Sequence, residues 1–187
     1  QYMAAAAPSR EAGYEIEDET IRECIESGEC REAEAILSER MLEYEREGNK
    51  ERLSRLWYLK AYVCHVQKDR PKEVEALSNA VVLKADKHEA FYNWGTALSA
   101  WARDETGHEQ ARLLEQAVEK VDAAFRLAEK DGNASAAAFY AAHMVHLLLN
   151  QCKSSIAADN RGDALRMFSS VLGWLHRAEV QRRSKEL

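Results

Sequence analysis

The chain has 187 residues, 46% of them hydrophobic, and a formal net charge of -6. That composition can bury a core, so it excludes a wholly disordered chain, and the negative balance excludes a generic binder of polyphosphate, which needs a cationic face. Thirty alanines stand against 18 valines, isoleucines and threonines, with prolines only at Pro8 and Pro71, so local preference favours helix over strand almost everywhere and an all-α fold of seven or eight helices is expected.

In chain order, Gln1 to Gly13 reads as a flexible N-terminal segment or a cloning remnant, and residues 14–187 as a single helical domain. From Glu11 to Arg55 there are 15 acidic and 7 basic residues, spread like the charges of solvated helix faces. Within this region "SGECREAEAIL" offers a turn at Gly28 and buried positions at Ala33 and Leu37, on a helix expected to run to about Glu47. Next comes "WYLKAYVCHVQKDRPKEVEAL", a helix with a small residue at Ala61 and a turn at Asp69 to Pro71, where proline is tolerated at a first helical position. A second helix follows with Leu77, Ala80 and Leu83 as its buried series.

The segment His88 to Trp101 opens another helix, and a longer segment, Asp104 to Leu114, polar from Asp104 to Gln110, separates it from "EQAVEKVDAAFRLAEKD", whose buried series is Ala117, Val121 and Ala124. Ala134 to Leu149 is the longest apolar stretch, and it is shorter than the roughly 20 residues that cross a bilayer, so no direct membrane insertion is expected. After Cys152 to Asn160 a last helix carries Ala164, Phe168 and Val171 in the same buried slots. From Arg161 to Leu187 the balance turns mildly basic, with 6 basic and 3 acidic residues.

These segments repeat. "HEAFYNWGTALSAW", with Phe91, Trp94-Gly95 and Leu98, resembles the first helix of a tetratricopeptide repeat (TPR), and Glu73 to Phe91 resembles that family's second helix and its exit, with Ala85 in place of the usual proline. A step of 34 residues back from Phe91-Tyr92 reaches Trp57-Tyr58, and a step of 48 forward reaches Phe139-Tyr140, the added length lying in Asp104 to Leu114. The resemblance covers roughly residues 14 to 183 as four units, clear in the middle two and degenerate at both ends. It implies an α-solenoid of about four TPR-like antiparallel helix pairs, with insertions in the last two units. Small residues such as Gly95 and Ala80 would let paired helices approach closely.

Little in the sequence suggests chemistry. His143 and His146 lie one helical turn apart and Cys152 follows, but a tetrahedral zinc site needs a fourth ligand at a consistent spacing, and packing explains the histidines, so no metal and no cofactor is expected. There is no GxSxG turn, GxxxxGK loop or GxGxxG turn after a strand, so no catalytic residue is assigned. Cys24, Cys30, Cys64 and Cys152 lack CxxC spacing and the density of a secreted scaffold, which points to a reducing, cytoplasmic setting or the cytosolic face of an organelle.

The resemblance implies an interaction scaffold that takes a protein or peptide ligand in a concave groove. The family's carboxylate clamp is not expected, because only Asn93 fits it, while Tyr58, Tyr62, Ala137 and Ala141 stand where charged or amide residues are wanted. The implied groove residues are Tyr58, Tyr62, His65, Tyr92, Asn93, Tyr140, Met144 and Leu147, an apolar and aromatic lining suited to a peptide or amphipathic helix. The alternatives are a helical-repeat RNA binder, disfavoured by the acidic front, and the soluble part of a membrane-anchored TPR receptor.

Overall fold

The computed structural model describes residues 19–157 and 159–184, and the N-terminal segment up to Gly13 lies outside them. All described secondary structure is helical: α1 (Glu19–Ser27), α2 (Cys30–Glu47), α3 (Lys50–Gln67), α4 (Arg70–Leu83), α5 (His88–Ala102), α6 (Gly107–Lys130), α7 (Ala134–Ala157) and α8 (Arg161–Ser184). Among the described residues no helix is long and apolar enough to cross a membrane.

One turn recurs along the chain. At Gly28, Gly48, Lys68, Gly132 and Asp159 the backbone takes a positive φ between 54° and 80°, and at each the next residue sends its N–H back five residues, as Asn49 does to the Tyr44 carbonyl and Asn133 to the Ala128 carbonyl. This is a Schellman stop, which satisfies the last carbonyls of one helix. The residue after it then starts the next helix: the side chains of Asn49, Asp69, Asn133 and Asn160 accept from backbone N–H groups three residues on. A stop followed at once by an N-cap leaves room for a reversal and nothing else.

Consecutive helices therefore pack against each other in order, α1 on α2 through to α7 on α8. Pairings between ends show the alternation: Ser54 Oγ near the start of α3 donates to the Ala80 carbonyl near the end of α4 at 2.8 Å, and Ser154 on α7 donates to Gln110 on α6 at 3.1 Å. The core runs as a series, with one cluster among α1, α2 and α3 centred on Ile21, Leu37 and Val63. A smaller one bridges α3, α4 and α5 through Ala61, Leu77 and Ala97. The largest joins α5 to α8 around Leu98, Leu113, Phe125, Met144 and Leu147.

Gly95 sets the closest approach. A Cβ at that position would meet Val121 Cγ2 at 2.6 Å and the Ala117 carbonyl oxygen at 3.0 Å, so only a glycine lets α5 press onto α6 this closely. Ala117, Val121 and Ala124 are all fully buried, whereas of the corresponding series on α8 only Ala164 and Val171 are buried. Phe168, expected inside, is 51% exposed. It lies on the outer side of α8, and among the described residues no further helix covers that side.

Both insertions became helix. Most of Asp104 to Leu114 forms the first two turns of α6, and most of Cys152 to Asn160 forms the last turns of α7, so these helices reach 24 residues where α5 has 15.

Candidate functional site

The odd-numbered helices α3, α5 and α7 are linked side by side through polar and aromatic side chains. Asn93 Nδ2 donates to the Tyr58 hydroxyl, tying α5 to α3. Tyr92 reaches the other way into a box of rings on α7: it stacks on Tyr140 with centroids 4.7 Å apart, tilts against Phe139 at 5.3 Å and meets the His143 ring edge-on at 5.2 Å. Its hydroxyl lies 3.4 Å from His143 Nδ1. One turn earlier on α5, the buried His88 pairs through Nδ1 with the Tyr140 hydroxyl at 2.8 Å.

Burial in this box governs its protonation. Desolvation pushes the Tyr92 phenol up to about 12. It also pulls His143 down to about 4, helped by the nearby His146, because the charged form loses more hydration than its neighbours return. Among the described residues, His143 Nε2 is buried with no hydrogen-bond partner.

Of the eight implied groove residues, Tyr58, Tyr92 and Asn93 come together at the junctions of α3, α5 and α7. Tyr62 is half-buried against the cluster of α1, α2 and α3. His65 faces α4 instead: its Nδ1 lies 2.8 Å from Glu73, a carboxylate only 6% exposed that also accepts from Arg70 at 2.8 Å. Tyr140 is 4% exposed, and Met144 and Leu147 have no exposed surface. These three sit in the core and cannot line an open groove; α7 is rotated so that Phe139, the ring before Tyr140, faces out at 57% exposure.

Sequence reasoning took Phe139 only as the opening ring of a repeat and so missed it as a surface residue. It also missed a cleft of about 500 Å³ where α7 outruns α5, lined by Ser99, Ala102, Arg103, Gln110, Leu114, His146, Asn150 and Ser154. Here the two insertions meet. Gln110 is fixed across the end of α5 by donating to the carbonyls of Ala102 at 3.0 Å and Glu105 at 3.1 Å, and Ser154 on α7 closes the far wall on it. The α5–α7 junction thus carries an aromatic shelf of Phe139, Tyr92 and His143 at one end and a polar cleft at the other.

No family model and no curated protein matches this chain.

The imagined metal ligands do not converge. His143 is turned to Tyr92, His146 pairs with Asn150 at 3.1 Å, and the Cys152 thiol donates to the Ala164 carbonyl at 3.5 Å. Elsewhere among the described residues, Cys24, Glu29 and Glu32 bring ligand atoms within 4.8 Å of one another, one thiol and two exposed carboxylates, a ligand short of a tetrahedral set. Burial, followed by the Glu34 and Asp69 carboxylates, raises the Cys64 thiol to about 11, so it packs as a small apolar group.

Proposed function

We propose that this chain is a non-catalytic, TPR-like module that holds a peptide or a partner's helix along the face of α3, α5 and α7, most deeply at the α5–α7 junction. The observation that carries this reading is the cleft of about 500 Å³ at the α5–α7 junction, two turns along α7 from the exposed Phe139 ring. Its lining is matched to a segment with one apolar anchor and a few hydrogen-bonding groups: the anchor rests on Phe139 and Tyr92, and the polar groups meet His146, Asn150 and Ser99. Concave, mixed linings with a small number of placed polar groups are the usual form of a recognition site. Support for the TPR-like architecture comes from the order of the helices, each packed on the next, and from the tight α5–α6 contact at Gly95, the position where the sequence shows the family's glycine.

The test uses peptides selected from a random displayed library on the immobilised protein, with affinities measured by calorimetry. Phe139→Ala and the pair His146→Ala with Asn150→Ala alter side chains outside the core, so helicity and melting should be retained. Each variant is expected to lose roughly tenfold or more in affinity, the scale of an anchoring contact. Undiminished binding by the folded variants, or a library that yields no binder, contradicts the reading.

A further inference from the structure

The last helix carries two apolar faces, and among the described residues only one is covered. Ala164 and Val171 are buried, and Trp174 meets Phe125 of α6 edge-on with centroids 4.8 Å apart. On the other face Leu165, Phe168, Leu172 and Leu175 are 69%, 51%, 56% and 49% exposed. On α6, the buried series Ala117, Val121 and Ala124 corresponds to Ala164, Phe168 and Val171, so the exposed residues of α8 match Val118, Val121, Phe125 and Ala128. Of those, Val121, Phe125 and Ala128 are at most 1% exposed because neighbouring helices cover them. The outer face of α8 has the composition of a covered surface.

The order of residues along that face indicates what covers it. Arg161, Leu165, Phe168, Leu172, Leu175 and Glu179 follow one another at spacings of four and three, the seam of a helix that packs against another helix. The seam is its own complement when a copy is laid on it in the opposite direction. Centred between Phe168 and Leu172, Leu165 faces Leu175 of the second copy, Phe168 faces Leu172, and at both ends Arg161 faces Glu179. A parallel copy sets Arg161 against Arg161, so the charges select the antiparallel arrangement. Both end groups are accessible for exchange: Arg161 is 89% exposed beside Asp159, and Glu179 pairs at 2.9 Å with Arg183 in a surface bridge of small worth.

We propose that α8 forms a symmetric antiparallel dimer contact with a second copy of this chain, through Leu165, Phe168, Leu172 and Leu175, with Arg161–Glu179 pairs closing its two ends. An isologous contact of this kind closes on itself and builds no polymer. The contact is short, so the dimer is weak, with a dissociation constant on the order of micromolar. It leaves the α5–α7 cleft free and does not depend on what that cleft binds.

The experiment is sedimentation equilibrium of the full chain over roughly a hundredfold range of concentration around that micromolar constant. The wild type is expected to pass from monomer to dimer. Leu172→Glu, and independently Leu175→Lys, should remain monomeric throughout with unchanged helicity by circular dichroism. Arg161→Glu and Glu179→Arg should each weaken the dimer several-fold, and the two together should restore it to near wild type. A wild type that stays monomeric overturns the proposal, as does a dimer indifferent to Leu172→Glu in the folded protein. Failure of the double reversal to restore affinity overturns the antiparallel pairing.

Discussion

Replacing Gly95 with alanine measures how tightly α5 and α6 are pressed together. The new methyl meets Val121 Cγ2 at 2.6 Å, the Ala117 carbonyl oxygen at 3.0 Å and the Val121 backbone nitrogen at 3.3 Å. Val121 is fully buried and β-branched, so it has little rotamer freedom with which to yield. The other two atoms are backbone and move only if the helices separate. Overpacking of this kind costs about 1–3 kcal/mol, while exchanging glycine for alanine inside a helix returns about 1 kcal/mol. The net expectation is a loss of up to about 2 kcal/mol, or a melting temperature lower by up to roughly 8 °C in a chain of this size. Thermal and urea unfolding followed by circular dichroism provide the reading. Val121→Ala removes the nearest obstacle, so the double variant should be more stable than the sum of the two single losses by at least about 0.5 kcal/mol. A Gly95→Ala protein that melts higher than wild type, with additive effects in the double variant, refutes the close contact.

Further outcomes follow from the same structure. Neighbouring rings on α7 should behave oppositely: Tyr140→Ala, which opens the buried box, should cost about 3–5 kcal/mol in urea unfolding, whereas Phe139→Ala should cost under about 1 kcal/mol. Ser54→Ala removes the buried bond to the Ala80 carbonyl and should cost about 1 kcal/mol. Because the unfolded His143 binds a proton near its ordinary 6.5 and the folded one only at about 4, the stability it contributes is complete above 6.5 and is lost as pH falls through that window. The urea midpoint of wild type should therefore drop more steeply than that of His143→Phe, and parallel curves count against the buried neutral imidazole. Limited proteolysis should cut the exposed connections at 103–106 and 159–160 before any bond within Ala76 to Trp101.

Much of the local architecture is legible in the residues. The helix opening at His88, the helix end at Glu47 and the small residue at Gly95 fall where spacing and packing size put them, because each rests on contacts between near neighbours in the chain. The Gly-Asn pairs at 48–49 and 132–133 also mark two reversals, by a stop signal followed directly by a cap. The rotation of each helix about its axis is harder to read. Adjacent residues on a helix point about 100° apart, and whether Phe139 or Tyr140 turns inward depends on partners about fifty residues away, His88 and Tyr92, which bond and stack with Tyr140. Phe168 illustrates the same limit, since its slot on α6 is covered by neighbours and its slot on α8 is not. The cleft was illegible for a related reason: it exists only because two insertions, some forty residues apart, lengthen helices that pack side by side, and neither stretch carries a mark of the other.

The binding reading turns on where a ligand lands, and backbone amide shifts recorded by NMR as a selected peptide is titrated into the protein measure that directly. The largest shifts are expected at Tyr92, Phe139, His146, Asn150 and Ser99, along the α5–α7 junction and its cleft. Shifts concentrated instead around the exposed Leu42 of α2 and Val82 of α4, with the junction unmoved, contradict the account.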